Sequence, residues 1–344
     1  MNLLFASNHC CIRVVKEGLA LARTGDSVVF FQNRIANVDV RDVLSITSFW
    51  GNLRQYGPKL QVFANLDLIH VHNEPSRLVT LAKEAHPDTP VIFDVHDLAA
   101  VRNHQVVEEE VRAFQVADGI IWPSEGYRDY CENEFAYHFK GLKDKPSAVV
   151  YSMCTSEMME FPAMPRLKGI VYEGRVSSTG DEKDYRGIID TLVTRNVPFY
   201  VLPSNMNDVN EYIVAGAVVM PTMPYAVMMR ALSRFDWGFC GPAVRSRQGD
   251  RGMGNKLFEY LAAGIPVIVH QSHEQAAFVE RNDVGVVVND INEIPDIYDL
   301  HQDYREVVIQ KRHQFAMEHQ LGAIRGLYNE VLGRGAKPER QVAA

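Results

Sequence analysis

Cysteine is scarce in this chain of 344 residues. Cys10, Cys11, Cys131, Cys154 and Cys240 are odd in number, scattered and without a C-x-x-C pair, so neither a disulfide framework nor a zinc site is expected and a reducing cytoplasm fits. Long apolar runs are missing as well: nowhere do about 18 apolar residues follow one another. Met1–Phe5 has no basic region leading into an apolar stretch, so neither membrane spanning nor secretion is expected. A basic excess is also lacking. Lys plus Arg number 35 against 43 Asp plus Glu, a net charge of -8, which disfavours nucleic acid as the principal partner. Short-period repeats and low-complexity tracts are absent. What remains, 47% hydrophobic and 23% charged residues, is the composition of a folded protein with a large core, long enough for two domains.

The apolar pattern predicts strand, helix, strand in succession. Leu3–Ala6 precedes a helix with Val14, Val15, Leu19 and Ala22 inward, and Ser27–Phe31 follows. The order recurs at Leu68–Val71, Val91–Val95, Gly119–Trp122 and Ala148–Tyr151. Continuous apolar strands alternating with helices imply parallel sheets covered on both faces. Pro162, Pro165 and an aperiodic stretch from Met153 to Leu167 mark a linker. Beyond it the alternation restarts at Gly169–Tyr172, Phe199–Leu202, Trp237–Phe239 and Val267–Val269, and a long helical pattern from Asp303 to Leu332 is interrupted by Gly322. The expected division is 1–161, 162–320 and a C-terminal helix and tail, 321–344, packing back on the first domain. Ligands are expected in a cleft at the carboxyl ends of the two sheets.

Residues 251–269 carry the most information. Asn255 is a good N-cap, Leu257, Phe258 and Leu261 form an apolar face, Gly264 suits the left-handed C-terminal position and Pro266 starts the exit. Gly252 and Gly254 let an anion approach the helix N-terminus, whose partial positive charge suits a diphosphate. Arg251 and Lys256 add full charges, and Glu259, one turn on, is placed to accept hydrogen bonds from a ribose diol.

The string from Gly254 to Ile268, GNKLFEYLAAGIPVI, resembles the donor-binding helix of retaining nucleotide-sugar glycosyltransferases of the GT-B fold, family four. Asp67–His72, Val95–Asp97, Ala117–Ser124 and Tyr172–Arg175 resemble further segments of that family in their order. The resemblance implies two Rossmann-like, doubly wound α/β domains facing across a cleft. The C-terminal one would hold a nucleoside diphosphate sugar and the N-terminal one would shape the pocket of a hydroxyl acceptor, a glycan, a small molecule or a lipid-linked one. By position, Arg175 would contact the diphosphate, Glu259 the ribose and His96 the transferred sugar. Arg186 before Gly187 best matches the second phosphate ligand, with Lys183 in reserve. Arg251, Gly254, Asn255 and Lys256 complete the nucleotide site, and no metal is required. Two positions depart from the family: Arg251 stands where a sugar-facing glutamate is common, and Asn8-His9-Cys10 replaces a glycine pair.

Other readings stay open beside these. His70 and His72 share a strand face, fitting a metal site or strand-end packing, and His96 lies between Asp94 and Asp97, which can orient an imidazole. The arginines of Arg245–Arg251 fit anion binding or a solvated loop, and Glu108–Glu110 a solvated helix face. Phe49–Arg54 with Tyr56 and Lys59 fits core packing, an acceptor-side lobe or contact with a membrane surface. The alternatives to transfer are a GT-B nucleotide-sugar epimerase and a non-catalytic relative; a dinucleotide-dependent oxidoreductase is remote, since no G-x-G-x-x-G follows the first strand. A cytoplasmic protein is expected, with peripheral contact at the inner face of the membrane where the acceptor is lipid-linked.

Overall fold

The computed structural model describes residues 1–9, 11–32, 45–48, 53–162 and 164–333. The chain divides into two compact units: unit 1 is Met1–Tyr151 with the chain from Met317 onward, and unit 2 is Ser152–Ala316. Unit 1 begins with β1 (Asn2–Ser7), α1 (Ile12–Arg23), β2 (Ser27–Gln32), β3 (Ser45–Ser48), α2 (Leu53–Leu60), β4 (Leu68–His72) and α3 (Arg77–Ala85). It continues with β5 (Val91–Asp94), α4 (Ala99–Asn103), α5 (Glu108–Val116), β6 (Gly119–Trp122), α6 (Glu125–Glu134) and β7 (Ser147–Val149). Unit 2 opens with β8 (Ile170–Gly174), α7 (Arg186–Val193), β9 (Phe199–Pro203), α8 (Val209–Val214), β10 (Val218–Val219), α9 (Tyr225–Leu232) and β11 (Trp237–Cys240). There follow α10 (Arg247–Arg251), α11 (Asn255–Ala262), β12 (Val267–His270), α12 (His273–Asn282), β13 (Gly285–Val288), α13 (Ile294–Ile297) and α14 (His301–Lys311). The last described helix, α15 (Leu321–Val331), belongs to unit 1.

Both sheets are parallel, in the orders β3-β2-β1-β4-β5-β6-β7 and β10-β9-β8-β11-β12-β13. Each is doubly wound, and the strand order reverses between β1 and β4 in one and between β8 and β11 in the other. Loops at the carboxyl ends beside such a reversal diverge and leave a crevice. The central strands are buried on both faces, β1 with apolar residues throughout its middle: Leu3, Leu4, Phe5 and Ala6 are 0–1% exposed. In unit 2, Ile170, Phe199, Val201, Trp237, Phe239 and Ile268 form one cluster with Tyr185, Ile189 and Tyr212 from the covering helices.

Several details differ from the sequence expectations. The helical pattern of 303–332 breaks at two 3₁₀ turns, Arg312–Phe315 and Met317–Gln320, while Gly322 sits inside α15 with open space where a Cβ would go. A helix glycine facing nothing costs stability without ending the helix. α15 packs on β6 and β7, and the close approach needs Gly119, whose added Cβ would lie 2.9 Å from Val331 and 3.0 Å from Leu327. Glu108 and Glu109 face solvent, but Glu110 is buried and accepts the amide hydrogens of Ala99 and Ala100. It therefore caps α4 instead of extending a solvated face. Phe49–Asn52 lie outside the described residues, as does Cys10; of that segment's neighbours, Tyr56 is fully buried, with its ring 4.8 Å from that of Phe31. No helix among the described residues is long and apolar enough to cross a membrane.

Candidate functional site

The crevice of unit 2 lies beyond the carboxyl ends of β8 and β11. β8 ends in Glu173-Gly174, and the turn after it is pinned from both sides. The Glu173 amide donates to the Tyr260 hydroxyl at 2.9 Å, and the Tyr172 hydroxyl donates to the Arg175 carbonyl at 2.9 Å. The Arg175 side chain is thereby carried out to solvent, and its guanidinium pairs with no carboxylate among the described residues. After β11 the chain turns at Gly241, which has φ +100° and whose added Cβ would lie 1.8 Å from the His270 carbonyl oxygen. That turn leads through α10 to α11.

α11 begins at Asn255, and its N-cap is Gly254, with no side-chain cap bond. Asn255 is therefore the first helical residue and not the cap. A glycine cap leaves the first-turn amides of α11 without a capping side chain, and a partial positive charge gathers there. The Lys256 ammonium sits 5.0 Å from the centre of the Tyr172 ring. Burial would lower its pKa, but Glu173 and its neighbours more than offset that, so the lysine is a fixed cation. Glu259, one turn along, is 3% exposed and accepts a hydrogen bond from the Tyr225 hydroxyl of α9 at 3.0 Å.

The remaining basic candidates are already engaged. Arg186 opens α7 and forms a two-pronged pair with Asp184, Nε to Oδ1 at 2.8 Å and Nη2 to Oδ2 at 2.7 Å, with a further bond to the Ser178 carbonyl. Lys183 Nζ lies 3.5 Å from Glu182. Arg251 ends α10 with Nη1 3.6 Å from Asp250, which also faces Arg245 at 3.7 Å and His273 at 2.6 Å. The Arg245–Arg251 run is thus a short helix capped by Ser246, organised around one carboxylate.

His96 lies in unit 1, just past the end of β5, one strand over from the reversal between β1 and β4. Around it is a chain of buried polar groups. Asp94, fully buried, accepts from Arg13 Nη2 at 3.0 Å and pairs with His70 Nε2 at 3.2 Å and His72 Nδ1 at 3.1 Å. Arg13 Nε is also 3.1 Å from Glu17, and the Tyr328 hydroxyl of α15 is 2.6 Å from His70 Nδ1. His96 Nε2 is 3.1 Å from His72 Nδ1, and its Nδ1 is 3.6 Å from Cys11 Sγ. Burial pushes Asp94 up, yet Arg13, His96 and the bonds from His70 and His72 hold it well below the usual carboxylate range. Glu17 goes the other way, raised by burial and by Asp94. Burial keeps His70 and His72 below the ordinary histidine value and so neutral. Ligand-type atoms of Glu17, His70, His72 and Asp94 lie within 4.8 Å of one another, but the cation serving them is Arg13, and a dication would sit against that guanidinium. His70 and His72 stack with ring centres 4.3 Å apart.

Cys11, Arg13, Glu17 and Tyr225 are residues that the sequence reading did not single out. One signal was available: Arg13, Lys16 and Glu17 interrupt the inward face of α1, and all three are buried.

A family profile described as "Glucosyltransferase 3-like, C-terminal domain" matches residues 253–323. A protein named Glucosyltransferase 3 from Streptococcus parasanguinis is 22% identical over 232 residues, 64% of this chain; the match spans only 63% of that relative. Among solved structures, a sucrose-phosphate synthase from Thermosynechococcus elongatus superposes with a TM-score of 0.68 at 15% identity, covering 97% of this chain and 100% of that one. Anabaena HepE, solved with UDP, gives 0.66 at 11% identity, covering 94% and 99%. The chain has the GT-B fold. Both reversal points carry candidate groups in it, the helix-terminus site in unit 2 and the histidine cluster in unit 1.

Proposed function

We propose that this GT-B chain is a glycosyltransferase that moves a sugar from a nucleoside diphosphate sugar to a hydroxyl acceptor, with UDP-glucose the first donor to test. The observation that carries the reading is the juxtaposition on α11 of a glycine-capped N-terminus, the fixed Lys256 cation and the Glu259 carboxylate. The first two suit the diphosphate and its negative charge, and the third suits the ribose diol. The relative named Glucosyltransferase 3 and fold neighbours solved with UDP and with UDP-glucose support the choice of donor.

In this reading Arg175, Lys256 and the amides of α11 meet the charge that grows on the departing diphosphate, so no metal is needed. Arg186 joins them by exchanging Asp184 for phosphate, and Arg251 does the same with Asp250. The bond from the anomeric carbon to the diphosphate breaks, the acceptor oxygen takes its place, and the departing phosphate receives the acceptor proton. Retention of configuration is what the likeness to family four implies. His96, carried over as the sugar contact, is pushed up to about 10 by Cys11 and Asp94 against the effect of burial. It is a hydrogen-bond donor at neutral pH, not a base.

The test is calorimetric binding of UDP, GDP and ADP, with and without divalent metal, to the wild type and to Glu259→Ala. The expected result is metal-independent binding of one nucleotide, weakened about tenfold or more in the variant. Arg175→Ala should lower donor turnover by about a hundredfold or more while changing UDP affinity less. A folded protein that binds none of the three nucleotides refutes the reading.

A further inference from the structure

Of the described cysteines, Cys131, Cys154 and Cys240 are buried, and burial raises the thiols of Cys131 and Cys240. Cys11 differs in every respect. It is partly exposed and stands as the N-cap of α1, a helix of 12 residues. Its Sγ is 3.6 Å from His96 Nδ1. The other nitrogen of that ring is 3.1 Å from His72 and 3.7 Å from the buried Asp94, behind which stand Arg13, Glu17 and His70. An imidazolium here has the Asp94 carboxylate 3.7 Å from Nε2 on one side and a sulfur 3.6 Å from Nδ1 on the other. Burial pushes the Cys11 thiol up, but the charge and hydrogen bond of His96, then the amides of Val14 and Arg13, more than offset it. A helix N-terminus and a neighbouring cation are the two features that turn a cysteine into a nucleophile.

We infer that Cys11 and His96 form a thiolate–imidazolium pair, and that Cys11 is a modification site for hydroperoxides and soft electrophiles. With a hydroperoxide the thiolate sulfur attacks one peroxide oxygen. The S–O bond forms, the O–O bond breaks, and the departing hydroxide takes the Nδ1 proton of His96 to leave as water. Sulfur is oxidised by two electrons to the sulfenic acid and the peroxide is reduced. His96 thus supplies the acid that the leaving group needs. The inference does not depend on the transferase reading.

The experiment is limiting iodoacetamide labelling of the whole chain between pH 5 and 9, with fragment-ion mass spectrometry separating Cys11 from Cys10. Cys11 should alkylate at pH 6 about fivefold or more faster than free cysteine in the same tube. Its rate should rise less steeply between pH 6 and 8 than that of free cysteine, with the three buried thiols lagging. His96→Gln should return the Cys11 profile to that of free cysteine. One equivalent of hydrogen peroxide followed by dimedone should tag Cys11 in the wild type and not in that variant. A wild-type profile that superposes on free cysteine overturns the inference, as does an unchanged profile in a folded His96→Gln. If that variant does not fold, the wild-type profile decides alone.

Discussion

Replacing Arg13 by methionine removes the cation in closest contact with Asp94 in the buried cluster of unit 1 while keeping the length of its stem, and leaves His96, 3.7 Å from Asp94, as the remaining one among the described residues. Arg13 is 4% exposed and Asp94 0%, with Nη2 and Oδ1 3.0 Å apart. At an effective dielectric constant of about 20, opposite unit charges at that separation attract by ~5.5 kcal/mol. Burial and Asp94 raise Glu17 well above the ordinary glutamate value, so it offsets less of the guanidinium charge than Asp94 does. Removing the guanidinium leaves an ionised carboxylate facing two neutral histidines and the more distant His96 cation at 3.7 Å; breaking a buried pair outright costs about 3–5 kcal/mol, which is the upper limit here. Arg112 and Glu84 provide the contrast. Their side chains are 60% and 58% exposed at 3.2 Å, and Arg112→Ala should cost at most about 0.5 kcal/mol. Urea unfolding followed by far-ultraviolet dichroism measures both. Adding Asp94→Asn to Arg13→Met should restore at least about half of the loss, because the amide is neutral and still hydrogen-bonds. A loss below about 1 kcal/mol for Arg13→Met, or no recovery in the double variant, would refute the assignment of the cluster's charge.

Three further outcomes follow from the geometry. Tyr225→Phe removes the hydroxyl that a ribose must displace from Glu259, so nucleotide affinity measured by calorimetry should rise about threefold to tenfold; a fall would mean that Tyr225 positions the carboxylate instead. Gly241→Ala should cost about 3 kcal/mol or more in urea unfolding, given φ +100° and a Cβ 1.8 Å from a carbonyl oxygen, whereas Gly180→Ala, at φ +75° in open space, should cost about 1 kcal/mol. The third concerns pH. His96, at about 10 when folded and 6.5 when not, contributes stability that is complete below pH 6.5 and fades as pH rises through 10. Cys11, lowered from 9.0, contributes stability that is complete above pH 9.0 and is lost as pH falls. The two trends offset each other across neutrality, so the wild-type urea midpoint should be level there and drop between about pH 9 and 10, and His96→Gln should lack that drop.

The central strands were legible because most of their residues are apolar on both faces, His70 and His72 of β4 and Asp94 of β5 excepted. β4, β5, β6 and β12 stand out as continuous runs, and this property comes from their own burial. β3, with the sequence SITS, and β10, with two residues, are edge strands. Their pairing is decided by the neighbour and leaves little trace in composition. β13 has the full apolar signal in GVVV, and counting it completes the second sheet. In unit 2 the candidate site was readable since Gly252 to Glu259 is one continuous segment. The unit 1 cluster was not, because Arg13 and Asp94 are 81 positions apart and only the β1-β4-β5 register brings them together. The commitment of Arg186 to Asp184 was equally hidden, as a pair two residues apart looks the same whether the groups meet or point away.

Unit 1 needs the end of the described chain to complete it. α15 covers β6 and β7 and delivers the Tyr328 hydroxyl to His70, while all of unit 2 intervenes between β7 and α15. On a ribosome, the sheet that starts first is therefore the one that is finished last. Unit 2 is contiguous and can close as soon as it has emerged, whereas the first seven strands wait with Gly119 uncovered until Leu327 and Val331 are made. Chain termination just before Leu321 would spare unit 2 and leave the histidine cluster without its cover.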